Sequence, residues 1–158
     1  MDMLIDALLE WLMHHSSYDV ENVPRPQVHE LDAAALTREV YRDAPERAPA
    51  RGVDSRLFAV YSWDAAPEGA IYILDRTLVS GELSGGDPLE NPLFQERLLH
   101  ELVHHVQYHT GAYERFPCRA RGERDAYLLG GKFLRQRGVT DPLQDRDILA
   151  LLYSRCRN

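Results

Sequence analysis

The sequence predicts an α+β fold, with helices around a small antiparallel sheet and a run of helices at the C-terminal end. Three observations carry that prediction. Apolar residues in the first forty positions recur at helical spacing. Those of Leu57–Trp63 and Ala70–Leu74 form short β-branched and aromatic runs. From Asn91 onward the helical spacing returns three times. At 158 residues, 44% of them hydrophobic, the chain reads as a single domain over 1–158 that can bury a core without staples.

The first helix is expected from Asp2 to His15, with Leu4, Ile5, Leu8, Leu9, Trp11 and Leu12 on its apolar side. That face suits a cover for the core better than an interface, so a monomer is the default and the oligomeric state stays open. Val23-Pro24-Arg25-Pro26 forces extended chain, and Gln27–His29 fits a short edge strand. Leu31–Arg42 is helical again through Leu31, Ala35, Leu36 and Val40, and Asp43–Asp54 is a loop rich in Pro and Ala. Leu57–Trp63 and Ala70–Leu74 form a hairpin across Asp64–Gly69. Ser80–Glu90, with Gly81 and Gly85-Gly86, is the most flexible interior piece by composition and could gate a cleft. Asn91-Pro92 supplies an N-cap and an N1 proline for a helix that runs to His109 and stops at Gly111. Two further helices follow, one over Arg119–Arg137 and one started by Thr140 or Asp141 ahead of Pro142 and running to about Arg155.

Charge and hydropathy exclude several partners. Twenty-five acidic against 18 basic residues give a net charge of -7, with no basic cluster interleaved with aromatics, so nucleic acid is not an expected partner. The mean hydropathy is -0.41 and no apolar run is long enough to span a bilayer. The acidic, amphipathic start Met1–Leu12 is unlike a secretory signal. The default compartment is therefore cytoplasmic, or exported if a signal preceded residue 1. Cys118 and Cys156 could pair in an oxidising compartment or stay as buried thiols in a reducing one.

The chemistry concentrates in His100-Glu101-Leu102-Val103-His104. Residues four apart share a helix face, so two imidazoles at this spacing can hold one Zn²⁺ while Glu101 reaches a water on it. With His100 at zero on a helical wheel, His104 falls at about 40°, Gln107 at about 340° and Glu101 at about 100°. Phe94, Leu98, Leu99, Leu102, Val103 and Val106 occupy the arc from about 120° to 300°. The pair thus faces a cleft while the helix back anchors in the core. His105 and His109 fall on the apolar side and read as structural, hydrogen-bonded histidines.

A catalytic zinc usually takes three protein ligands and leaves a fourth position for water. Among the downstream carboxylates, Glu123 shares its side of a helix with Ala126, Tyr127, Gly130, Phe133 and Leu134, where a carboxylate needs a partner. A metal would be that partner; an ion pair with Arg119 or Arg121 is the alternative. Asp125 shares its side with Lys132 and Gln136 and is expected to point outward.

This pattern resembles the gluzincin clan of zinc metallopeptidases, in particular its small minimal members and the bacterial zinc peptidases built like them. The resemblance lies in His100-Glu101-x-x-His104 and in Glu123-Arg124-Asp125-Ala126-Tyr127, which is similar to the clan's Glu-x-x-x-Asp element. It covers about Ala70 to Arg137. It implies a zincin-like domain with His100, His104 and Glu123 as zinc ligands and Glu101 as general base toward a peptide or protein substrate. Ala70–Leu74 would then be the edge strand that pairs with extended substrate. Tyr127 stands where the clan commonly has an Asp that orients the first His ligand, so charged support must come from another group. Tyr113, Tyr127 and Tyr153 are candidates for a transition-state donor. The alternative function is a metal-bearing interaction or regulatory module with little peptidase activity.

Overall fold

The structure, a computed structural model, describes residues 1–79 and 87–156. Its helices are α1 (Asp2–His15), α2 (Ala33–Val40), α3 (Pro92–His109), α4 (Ala112–Arg115), α5 (Gly122–Gln136) and α6 (Arg146–Tyr153). Its strands are β1 (Gln27–Leu31), β2 (Ala59–Ser62) and β3 (Ala70–Leu74). The α+β class is therefore observed. Residues 80–86 of the expected Ser80–Glu90 loop lie outside the described residues, and Pro88–Glu90 form a 3₁₀ turn. No described helix is long and apolar enough to cross a membrane.

Local chemistry sets the helix boundaries. The Asn91 side chain accepts from Leu93 N at 2.9 Å and donates to Val79 O, and Pro92 occupies the first turn, as the sequence required. Asp32 caps α2 by accepting from Ala35 N at 2.7 Å, so Leu31 ends β1 and does not begin the helix. Gly111 takes the left-handed conformation (φ 66°) expected of a helix stop, and the short α4 follows it directly. The last helix is shorter than its periodicity suggested, because Asp141 and Asp145 hold the preceding segment in turns before Arg146.

The sheet corrects two expectations. Its order is β1-β3-β2, with β1 parallel to β3 and only β2 antiparallel to it, so the sheet is mixed and not purely antiparallel. Ala70–Leu74 is thus the central strand and cannot be the edge that meets a substrate. Four of its five residues are buried, as expected of a strand covered on both faces. The open edge beside α3 belongs to β2. Phe58 O accepts from Leu74 N at 2.8 Å, so by antiparallel alternation Val60 and Ser62 also turn their peptide groups toward β3. Ala59 and Tyr61 turn theirs outward.

α3 is the hub. Twelve of its 18 residues are buried, so it is enclosed and not merely backed by core. It packs against β2 and β3, against α5, and against α1. Ile5, Leu8, Leu9 and Leu12 of α1 are buried, so α1 covers the core as expected. Trp11 meets Phe133 edge-on and donates to Gln136, tying α1 to α5.

The C-terminal end is fastened by two devices. A Cys118–Cys156 disulfide joins the segment ahead of α5 to the end of α6, closing a separation of 38 residues. In the chain-entropy picture a loop of that length adds about 4 kcal/mol. Arg146, 6% exposed, donates to Glu96 of α3 at 2.6 Å and to both oxygens of Asp141 at 2.6 and 2.9 Å. Gly130 makes room for this pairing, since a Cβ there would lie 2.4 Å from Glu96 Oε1. Removing one partner of a buried pair strands the other, at a cost of about 3–5 kcal/mol. Arg146→Ala is therefore expected to lose about that much in urea unfolding with an unchanged slope. A loss under about 1 kcal/mol would show that Glu96 is not held by this pair.

Candidate metal centre

Two helices build the centre. α3 presents His100, Glu101 and His104, and the first turn of α5 presents Glu123 across from them. Glu123 reaches His100 Nε2 at 3.3 Å and His104 Nε2 at 3.5 Å, and the two Nε2 atoms are 3.3 Å apart. One ligand atom from each of these three residues lies within 4.8 Å of the others, a spacing that could hold a metal ion. Two imidazole nitrogens and a carboxylate also form a chemically fitting donor set. The sequence-predicted His pair and Glu123 are thus brought together, and the pairing of Glu123 with Arg119 or Arg121 is not seen among the described residues.

Glu101 lines the same cleft and forms no ion pair among the described residues. It is 8% exposed, and the Tyr61 backbone N–H on the open side of β2 lies near enough to its carboxylate to favour the ionised form. Burial raises its pKa, while His100 and His104 pull the other way. Its neighbour Glu123 shows the opposite balance. Burial would raise its pKa as well, but hydrogen bonds and charge from His100 and His104 hold it well below the carboxylate range. Two carboxylates lining one cleft therefore differ: burial raises the pKa of one, while the histidines hold the other ionised as a ligand must be.

Behind His104 lies a line of hydrogen bonds that sequence reasoning missed. His104 Nδ1–H donates to Gln107 Oε1 at 3.1 Å, which turns Nε2 toward His100 and Glu123 on the metal side. Gln107, fully buried, donates through Nε2 to Gly122 O at 2.9 Å and to the Tyr18 hydroxyl at 3.0 Å. Tyr18 donates onward to Asp125 at 2.6 Å. All donors thus point the same way, from imidazole to carboxylate, and bonds in such a chain polarise one another. Asp125, expected to point outward, is half-buried and ends this line. It places a carboxylate at the far end of the line behind His104, not behind His100, which Tyr127 meets. The signal for Gln107 was present at about 340° on the wheel, on the histidine face, where a buried amide needs partners. Gly122 is required by the same line, since a Cβ there would lie 2.4 Å from Gln107 Oε1.

The tyrosines divide by position. The Tyr113 hydroxyl lies 3.0 Å from His104 Nδ1, on the far side from Nε2. Tyr127 packs edge-on to His100, with ring centroids 4.9 Å apart, and stacks on Tyr153. Both line the cleft with β2, Arg97 and Arg146. His105 and His109 are structural, as expected. Burial pushes His105 down to about 4, and its Nε2–H donates to Pro24 O at 2.7 Å. Tyr61 donates to its Nδ1, and Gly69 (φ 81°) provides the space for the Tyr61 ring. His109 meets Glu68 O at 3.2 Å.

Two outcomes follow for metal binding. Burial works against a charge on His104, but Glu123, Glu101 and Gln107 outweigh it and hold its pKa up at about 9 in the metal-free protein. A metal must displace that proton, so affinity is expected to rise with pH up to about 9, by no more than tenfold per unit for this proton. Calorimetry in two buffers of different ionisation enthalpy reads the proton release. Gln107→Ala is expected to weaken a divalent metal about 10–100-fold in competition with a chelating dye, and Tyr18→Phe by less. Unchanged affinity in Gln107→Ala would show that the line does not orient His104.

Among known proteins, the family model described as "Domain of unknown function (DUF6647)" matches residues 89–158, which takes in the whole donor set but not β2. No curated protein and no solved structure matches the chain.

Proposed function

We propose that the protein is a small, single-domain zinc peptidase of zincin-like architecture and gluzincin type, in which His100, His104 and Glu123 hold the metal. The observation that carries this reading is Glu101, buried in the same cleft as the three donors and touching the open edge of β2. When bound there, zinc would supply Lewis-acid polarisation of a peptide carbonyl and bring the pKa of a water toward neutrality. Glu101, ionised at the outset, would act as the general base and pass the proton it gains to the departing amine, and burial, by raising its pKa, strengthens it for that role. The outward peptide group of Ala59 pairs with an extended substrate, the role first expected of Ala70–Leu74. Of the three candidate donors, Tyr113 is engaged behind His104, which leaves Tyr127 and Tyr153 to face a developing oxyanion.

One feature favours a second reading, a metal-bearing module that binds peptides and leaves them intact. Tyr127 meets His100 by its ring edge and offers no carboxylate to orient that imidazole. A peptide-library digest read by mass spectrometry separates the two, since a module would hold peptides without producing new termini. In the peptidase, Glu101→Gln is expected to keep its metal and lose hydrolysis by at least about 100-fold. Cleavage at the wild-type rate in that variant would remove Glu101 from the mechanism.

A further inference from the structure

The cleft carries a charge pattern that the metal does not explain. Arg97 and Arg119 both line it. Each guanidinium sits over an aromatic ring: Arg97 is 3.8 Å from the centroid of Phe58, and Arg119 is 4.0 Å from that of Trp63. Phe58 immediately precedes β2 and Trp63 immediately follows it. The open strand edge is therefore bracketed by two cation–aromatic stacks, five residues apart, or roughly 17 Å in extended chain.

These cations differ from the other arginines of the cleft. Arg56 is bound to Asp54, and Arg146 to Asp141 and Glu96. Arg97 and Arg119 have no carboxylate within ion-pair distance among the described residues, and Arg97 Nη1 is buried with no hydrogen-bond partner. The carboxylates of the lining are otherwise placed: Glu96 is paired, Glu101 and Glu123 belong to the centre, and exposed Glu114 lies against Gly111. Stacking on a ring holds a guanidinium by its face and leaves its N–H edges free, the presentation that suits a carboxylate.

We infer that the cleft selects extended peptides with acidic side chains at both ends of a six-residue stretch, one facing Arg97 and the other Arg119. This rests on the peptide-cleft reading of the site but not on cleavage. The peptide's middle residues pair along β2 beside Glu101, and its end carboxylates meet the two guanidinium edges.

The test uses full-length, zinc-loaded Glu101→Gln protein and fluorescent hexapeptides, acetylated and amidated so that only side chains carry charge. Glu, Gln or Lys occupies both end positions over one fixed middle sequence, and binding is read by anisotropy. The Glu peptide is expected to bind roughly tenfold more tightly than the Gln peptide, with the Lys peptide weakest. The Glu preference should shrink in Arg97→Gln and in Arg119→Gln and vanish when both are changed. Equal binding of Glu and Gln peptides, a preference for Lys, a preference seen only with a free C-terminus, or no binding at all would each overturn the inference. A Glu preference here, together with zinc-loaded wild-type protein that cleaves neither these peptides nor a peptide library, would uphold it while removing the peptidase reading.

Discussion

The centre is set by the hydrogen bonds that Gln107 makes from the last turns of α3. Its oxygen fixes the tautomer of His104, and its amide nitrogen ties to the Gly122 carbonyl at the start of α5 and to Tyr18. Glu123 follows Gly122 directly, so one buried amide aligns the second ligand and positions the turn that carries the third. A glutamine in that place is costly to bury and is tolerated because each polar atom has a partner. Loss of any one bond would leave an amide unsatisfied in the interior and let the two helices slide.

Electrostatics complete what packing begins. In the absence of a metal, the His104 and Glu123 charges stabilise one another, which accounts for the opposite directions of their shifts. The same arrangement keeps the donor atoms close before a cation arrives, so less ordering is needed on binding. Glu101 stands apart because burial outweighs the pull of His100 and His104 on its carboxyl. The division into a ligand carboxylate and a proton-carrying carboxylate thus follows from direct contact of Glu123 with both imidazoles and from the burial of Glu101.

Much of this was legible in the residues. The cap at Asn91-Pro92, the shared face of His100 and His104, and the inward direction of Glu123 are local helical facts, readable from spacing. Sheet topology was not, because the parallel pairing of β1 with β3 joins segments some forty residues apart and leaves no local trace. The run Ala70-Ile71-Tyr72-Ile73-Leu74 did carry a clue, since a strand without polar alternation belongs in the middle of a sheet. Asp125 was misjudged for a related reason. Its helix face is polar, but Tyr18, more than a hundred residues earlier, returns to cover it.

The central claim is that three residues from two helices make one metal site. Elemental analysis of dialysed wild-type protein beside Glu123→Ala, both confirmed folded by circular dichroism, tests it most directly. Near one zinc per chain in the wild type, with clear loss in the variant, is the expected result. Folded wild-type protein that retains no zinc even after incubation with the metal would contradict it.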